Sequence, residues 1–285
     1  MSQTPAPPTA AQLADPAWCE AQYNPRLTVS DPLAILARYA DWAAQSRAAL
    51  PFRTLSYGDG AREVLDYVPV AKPRGLIAYI HGGYWRAQHK DDYSWVADTF
   101  HAAGYSVAVI TYPLCPDVTI RDIVGCCEKA IARLWQELSE SERARVLVTG
   151  HSAGGYLTAA MFAADWRAHG LPASPFVGGV SYSGVFELPP LLNTSMNALI
   201  RLTPDQAQDW SMGRFSPRVA ALLILAYGAD EPGEFHRQSI EQAAHWSTIC
   251  RPAVPAIGCN HFTIVESLRD PGSQMARLTL EVIAR

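Results

Sequence analysis

Runs of consecutive apolar residues alternate along the chain with stretches in which apolar positions return every three or four residues. The runs are Leu76–Ile80, Tyr105–Thr111, Val146–Thr149, Val177–Tyr182, Leu222–Tyr227 and Val254–Ile257. Between the second and third, Ile120, Ile123, Val124, Cys127, Ile131, Leu134 and Leu138 recur at helical spacing. A strand buried on one face alternates apolar with polar residues. These runs do not, which predicts a parallel sheet covered on both faces. Right-handed crossovers then favour an α/β fold with a mostly parallel, doubly wound sheet and helices on both faces.

Upstream, Asp31-Pro32 reads as an N-cap followed by proline at the first helical position. Leu33, Leu36, Tyr39, Ala40 and Ala43 form an apolar stripe that predicts a helix to about Arg47. Residues 1–15 are rich in Pro, Ala and Thr, and a disordered tail over residues 1–20 is expected. No repeat or linker interrupts the remainder, so residues 21–285 read as a single domain. One stretch breaks the rhythm. Phe186 to Pro217 is too long for an ordinary strand-to-helix connection. A small helical cap insertion over about 186–217, above the carboxyl edge of the sheet, would account for it, either as a pocket wall or as a structural excursion.

Composition narrows the function classes. Of 285 residues, 49% are hydrophobic and 18% charged, ample for a large core. A net charge of −4 leaves no basic footprint for nucleic acid. No stretch approaches the apolar length of a membrane span. The opening MSQTPAPPTAAQLADPAW lacks the basic and apolar regions of a signal peptide. The six cysteines form no C-x-x-C pair and are expected to be free thiols in a reducing cytoplasm. The eight histidines include no H-E-x-x-H or other metal-ligand spacing. The expectation is a cytoplasmic enzyme with no metal and no cofactor. It would act on a small molecule, alone or as a homodimer.

The third run ends in Gly150-His151-Ser152-Ala153-Gly154, after which Gly154–Ala164 is good helix material. A serine serves neither element well there. G-x-S-x-G arises by chance in about one chain in ten of this length, but its place at a strand-to-helix turn is the context of a nucleophile elbow. Such a turn thrusts the Ser152 hydroxyl above the sheet, beside a helix N-terminus that favours developing negative charge. His81-Gly82-Gly83-Tyr84-Trp85 follows the first run directly. Gly82 and Gly83 can turn their N–H groups toward the same pocket and, with the N–H of Ala153, form an oxyanion hole.

A serine nucleophile also needs a base and an orienting acid, in the order Ser, acid, His for this kind of sheet. Leu222–Tyr227 leads into Gly228-Ala229-Asp230-Glu231, which offers two acids, and Val254–Ile257 leads into Gly258-Cys259-Asn260-His261. Both lie after strand ends, where open α/β sheets bind ligands. His261 is therefore the candidate base, with Asp230 and Glu231 both open as its partner. His81 would brace the glycine loop, and His151 is the variable position of the elbow. His89, His101, His169, His236 and His245 are read as surface or packing residues.

Together HGGYW, GHSAGG, EFHRQS and NHFTIVESL resemble the α/β-hydrolase superfamily, specifically its arylformamidase (kynurenine formamidase) branch. QYNPR near residue 24 and EVLDYVP near residue 66 are also similar to that branch, so the resemblance runs from about Tyr23 to the C-terminus. It implies an α/β-hydrolase fold and a serine hydrolase that cleaves the formamide of N-formyl-kynurenine in tryptophan breakdown. By motif it implies Ser152 as nucleophile, His261 as base, and Gly82, Gly83 and Ala153 at the oxyanion hole. Tyr84 and Trp85 would flank the substrate, with core packing as the competing explanation. One departure from the family's usual D-x-P-E-F matters: in E-P-G-E-F, Glu231 stands where aspartate is expected. That register makes Glu231 the implied acid, with Asp230 the alternative if the loop has shifted by one residue. A carboxylesterase for short-acyl esters would use the same machinery. A catalytically dead binding module is disfavoured because no part of the machinery is replaced.

Overall fold

Successive side chains of Leu76–Ile80 enter two separate hydrophobic cores: Leu76, Ala78 and Ile80 on one face of the sheet, Ile77 and Tyr79 on the other. The computed structural model, which describes residues 5–285, thus explains the unbroken apolar run by burial on both faces. The strands are β1 (Arg53–Ser56), β2 (Val64–Val68), β3 (Leu76–Ile80), β4 (Ser106–Ile110), β5 (Val146–His151), β6 (Gly178–Tyr182), β7 (Leu222–Gly228) and β8 (Val254–Ala256). They form one sheet in the order β1-β2-β4-β3-β5-β6-β7-β8. Strands β3 to β8 are mutually parallel, and β2 is antiparallel to both its neighbours.

Helices Ile120–Glu137, Ala153–Ala163 and Gly233–His245 contribute to the core on one face. Pro32–Ala49, Ala97–Ala102 and Gln274–Ile283 contribute to the core on the other. The doubly covered, mostly parallel sheet is the architecture that the apolar runs predicted. All six runs are strands, displaced at their ends by no more than two residues.

β1 and β2 were not foreseen from the apolar pattern. β1 is a short, mostly exposed edge strand in which only Leu55 is apolar. β2 carries the fully buried Asp66, whose charge breaks the apolar run. Arg47, Lys90 and the Thr54 hydroxyl hold that carboxylate. The Asp31 cap forms as expected, with its side chain accepting from the Ala34 N–H. The buried face of that helix is Ile35, Tyr39, Ala43 and Ser46, however, and Leu33 is 74% exposed.

The disordered tail expected over residues 1–20 needs correction. Ala10–Leu13 and Pro16–Tyr23 are helices, Cys19 is buried, and the Glu20 carboxylate accepts from the Ser195 N–H and hydroxyl. Residues 1–4 lie outside the described residues. Capping by Thr9 and Asp15, and partners far along the chain, order a segment with few large apolar residues. Between β6 and β7 the chain makes only short helical turns, at Pro189–Asn193, Asn197–Ile200, Pro204–Asp209 and Met212–Arg214.

The helix Ala153–Ala163 is apolar all round and buried along nearly its whole length. It lies so close to the sheet that a Cβ added at Gly154 would sit 2.0 Å from the Ile80 carbonyl oxygen. Gly154→Ala is therefore expected to destabilise the fold by about 3 kcal/mol, as backbone must move to admit the methyl. Gly125, in Ile120–Glu137, has nothing within 4 Å of the corresponding position. There alanine is expected to stabilise by up to about 1 kcal/mol. Urea denaturation of the two variants measures both.

Candidate active site

β5 passes into the helix Ala153–Ala163 at Ser152, whose φ of 58° and ψ of −120° lie in a region costly for a residue with a side chain. Three backbone hydrogen bonds hold it there. The Ser152 N–H donates to the Tyr182 carbonyl at 2.8 Å, and the Ser152 carbonyl accepts from the N–H groups of Gly155 and Tyr156 at 2.8 and 3.1 Å. Serine at a helix N-cap ordinarily spends its hydroxyl on the first turn. Ser152 makes no such capping bond. Its hydroxyl is left to the cavity that the residue lines.

The loop after β3 approaches the same serine. A Cβ at Gly82 would lie 3.1 Å from Ser152 Cβ, and one at Gly83, where φ is +106°, would lie 2.3 Å from the Ala87 carbonyl oxygen. Tyr84 and Trp85 continue the left-handed run at φ 50° and 56°. The N–H groups of Gly82, Gly83 and Ala153 find no acceptor among the described residues. His81 braces this loop from beneath. Its Nδ1–H donates to the Gly82 carbonyl at 2.7 Å, its Nε2 accepts from the Thr111 hydroxyl at 3.1 Å, and its ring stacks on Tyr112 with centroids 4.3 Å apart. Complete burial pushes its pKa down to about 3, which keeps the brace neutral.

At the ends of β7 and β8 the structure brings Glu231 and His261 together. His261 Nδ1–H donates to Glu231 Oε1 at 2.5 Å, with both side chains buried. The second carboxylate oxygen accepts from the Ser183 hydroxyl at 2.8 Å and the Gly228 N–H at 2.6 Å. Three donors compensate the buried charge. They also fix the imidazole tautomer, so Nε2 carries the lone pair. Asp230 is exposed, and only its backbone N–H is engaged, by the Cys259 carbonyl. Of the two acids that the sequence left open, Glu231 faces the imidazole.

Two residues of this arrangement escaped the sequence reading. Ser183, after β6, is fully buried at φ 50° and reaches the carboxylate from the side opposite His261. His151 donates its Nε2–H to the His261 carbonyl at 2.7 Å, and the two rings lie 4.6 Å apart. Burial, and then the nearby His261, depress the His151 pKa far below the ordinary range. It positions the backbone of His261 as a neutral ring. Neither role has a local signal, since each depends on a partner distant in sequence.

Ser152, His261, Gly83 and Tyr84 line one cavity of about 260 Å³. Trp85 does not. It is completely buried and packs edge-on against Tyr156 at 5.3 Å, so its expected place beside a substrate is corrected to a core position. The sequence left open whether the 186–217 stretch would wall a pocket. Asn24, Pro25 and Arg26 cover the cavity from the N-terminal segment, while the 186–217 stretch supplies only Ser195 and Met196. Among the described residues, no three His, Cys, Asp or Glu side chains converge to hold a metal ion. All six cysteines are free thiols.

A family model described as the alpha/beta hydrolase fold matches residues 77–221. The kynurenine formamidase of Danio rerio is 25% identical over 281 residues, covering 94% of each chain. That of Salmo salar is 25% identical over 242 residues, covering 80% of this chain and 81% of its own. Among solved structures, a protein from Silicibacter sp. TM1040 provisionally assigned as a thioesterase superposes with a TM-score of 0.78. It is 30% identical and covers 90% of this chain and 95% of its own.

The contrast between the two neighbouring acids gives a direct expectation. Glu231→Gln should lower kcat for p-nitrophenyl acetate on the order of 10⁴-fold, by analogy with loss of a triad carboxylate. Asp230→Asn should stay within about twofold, as expected of an exposed side chain without partners. Steady-state kinetics of both variants test this, and the reverse ranking would move the acid by one residue.

Proposed function

This chain belongs to the α/β-hydrolase family, and from that premise we propose that it is a serine hydrolase acting on N-formyl aryl amines such as N-formyl-kynurenine. One observation carries the reading: Ser152 and His261 line the same cavity while Glu231, buried and fully hydrogen-bonded, holds the far side of the imidazole. The kynurenine formamidases that the chain resembles over most of its length support the choice of substrate.

The geometry supports the following chemistry. Ser152 Oγ attacks the formyl carbonyl as His261 Nε2 takes its proton. Glu231 stabilises the resulting imidazolium through Nδ1–H. The N–H groups of Gly82, Gly83 and Ala153 receive the oxyanion, with the positive end of the helix Ala153–Ala163 behind them. His261 then protonates the departing amine. Water, deprotonated by the same imidazole, attacks the formyl ester and releases formate. His81 and His151 stay neutral through burial and do not compete for the proton.

A cavity of about 260 Å³ favours a small acyl group beside a flat leaving group, with Tyr84, Tyr39, Tyr93 and Phe262 as its aromatic walls. Hydrolysis of short-acyl esters or thioesters is the second reading, favoured by the 30%-identical structure provisionally assigned as a thioesterase.

Ser152→Ala should lower kcat on the order of 10⁶-fold with the fold intact, and a fluorophosphonate should label the wild type at Ser152. Residual activity above a tenth of wild type would end the serine-hydrolase reading. Comparing kcat/KM for N-formyl-kynurenine and p-nitrophenyl acetate separates formamidase from esterase. Formyl and acetyl groups should also outpace octanoyl, and equal turnover of octanoyl esters would contradict the small acyl pocket.

A further inference from the structure

The cavity that holds Ser152 and His261 is lined by two guanidinium groups, Arg26 from the roof and Arg86 from the loop after β3, and by no Asp or Glu. In a chain of net charge −4 this is not a reflection of composition. Neither side chain makes a salt bridge among the described residues. The Nε of Arg86 is buried and without a hydrogen-bond partner. Arg86 is half-buried and Arg26 exposed. Elsewhere the buried Arg237 is held by Glu187, Glu234 and Glu241, the half-buried Arg47 by Asp66 and Asp91, Arg62 by backbone carbonyls, and Arg269, whose Nε also lacks a partner, by Asp98.

An acid does lie close by, but it is committed elsewhere. Glu20, whose charge acts on Arg86, accepts from Asn24 Nδ2 at 2.7 Å, Ser195 N–H at 2.8 Å and Ser195 Oγ at 2.7 Å. Burial, followed by the like charge of Arg26, lowers the Arg86 pKa. Two neighbouring cations with no acid to pair them, lining the cavity that Ser152 lines, make a site that an anion would complete.

We infer that Arg86 and Arg26 form a carboxylate subsite, so that the substrates are aryl amides or esters whose leaving group carries a carboxylate. This rests on the proposed function in one respect: a formyl acyl group has no room for a second charge, which places the carboxylate on the leaving group. Arg86 stands three residues beyond Gly83, so the subsite and the oxyanion loop belong to one short segment. The guanidinium pair selects among substrates by charge, and its contribution should weaken as salt rises.

The test uses (4-acetoxyphenyl)acetate, its homologues with two and three methylenes, and the primary amide of each, which is nearly the same shape as its partner but uncharged. Wild type should favour the best carboxylate over its amide by about tenfold or more in kcat/KM, mainly through KM. Arg86→Gln and Arg26→Gln should each reduce that ratio about tenfold, and the double variant should bring it near one. Arg86→Lys should retain part of it, keeping charge without the planar fork. In parallel, calorimetric titration of (4-hydroxyphenyl)acetate into Ser152→Ala should show binding that the added Arg86→Gln substitution abolishes. Turnover of acids and amides at equal rates, or titration unaffected by Arg86→Gln, overturns the subsite and leaves the hydrolase reading standing. Titration as expected with no turnover and no labelling of Ser152 would overturn the hydrolase reading and leave the subsite.

Discussion

The backbone of the helix Ala153–Ala163 is pressed against the ends of β3 and β5, and most of the candidate site depends on that approach. A Cβ at Gly150 would lie 2.4 Å from the Gly154 carbonyl oxygen, and one at Gly154 2.0 Å from that of Ile80. With no side chain between helix and sheet, the chain must reverse within one residue. Ser152 takes the strained conformation that this reversal requires. Gly82, in the loop after β3, likewise comes close to the serine, where a Cβ would lie 3.1 Å from that of Ser152. The conformation of Ser152 and the close approach of the glycine loop are thus consequences of one packing constraint.

Burial sorts the ionisable groups around that turn. Three histidines lie near Ser152, but only His261 meets a carboxylate. His81 and His151 are enclosed without an anionic partner, so desolvation keeps them neutral and they serve as hydrogen-bonding braces. Glu231 is buried as well, yet three donors surround it. The environment, rather than the residue type, separates the carboxylate-paired His261 from the two neutral rings.

The roof is built by association of segments far apart in the chain. Tyr23 donates to Glu234 at 2.5 Å, Gln238 Nε2 donates to Tyr23 at 2.8 Å, and Glu20 receives Ser195. Through these contacts the N-terminal helix Pro16–Tyr23 is tied to both Gly233–His245 and the stretch between β6 and β7. Asn24, Pro25 and Arg26 follow that helix directly and so come to lie over the cavity. The small volume and the cationic lining are both properties of this assembly.

The sheet was legible in the sequence because strand burial on two faces leaves a local mark, an apolar run of four to seven residues. The elbow, the glycine loop and the two acids before His261 were legible for the same reason: each is a short pattern at the end of such a run. β1 and β2 left no mark, since one is a polar edge and the other buries Asp66. The N-terminal helices were hidden by a composition that suggests disorder, although their capping residues are present in the chain. Which acid turns toward His261, which of Tyr84 and Trp85 sees the cavity, and what Ser183 and His151 hold were decided only by the tertiary structure. Each depends on side-chain direction at left-handed or loop residues, and on partners from 30 to 110 residues away. No periodicity records such contacts. Composition and spacing determine which elements form, while the packing of those elements determines which side chains meet.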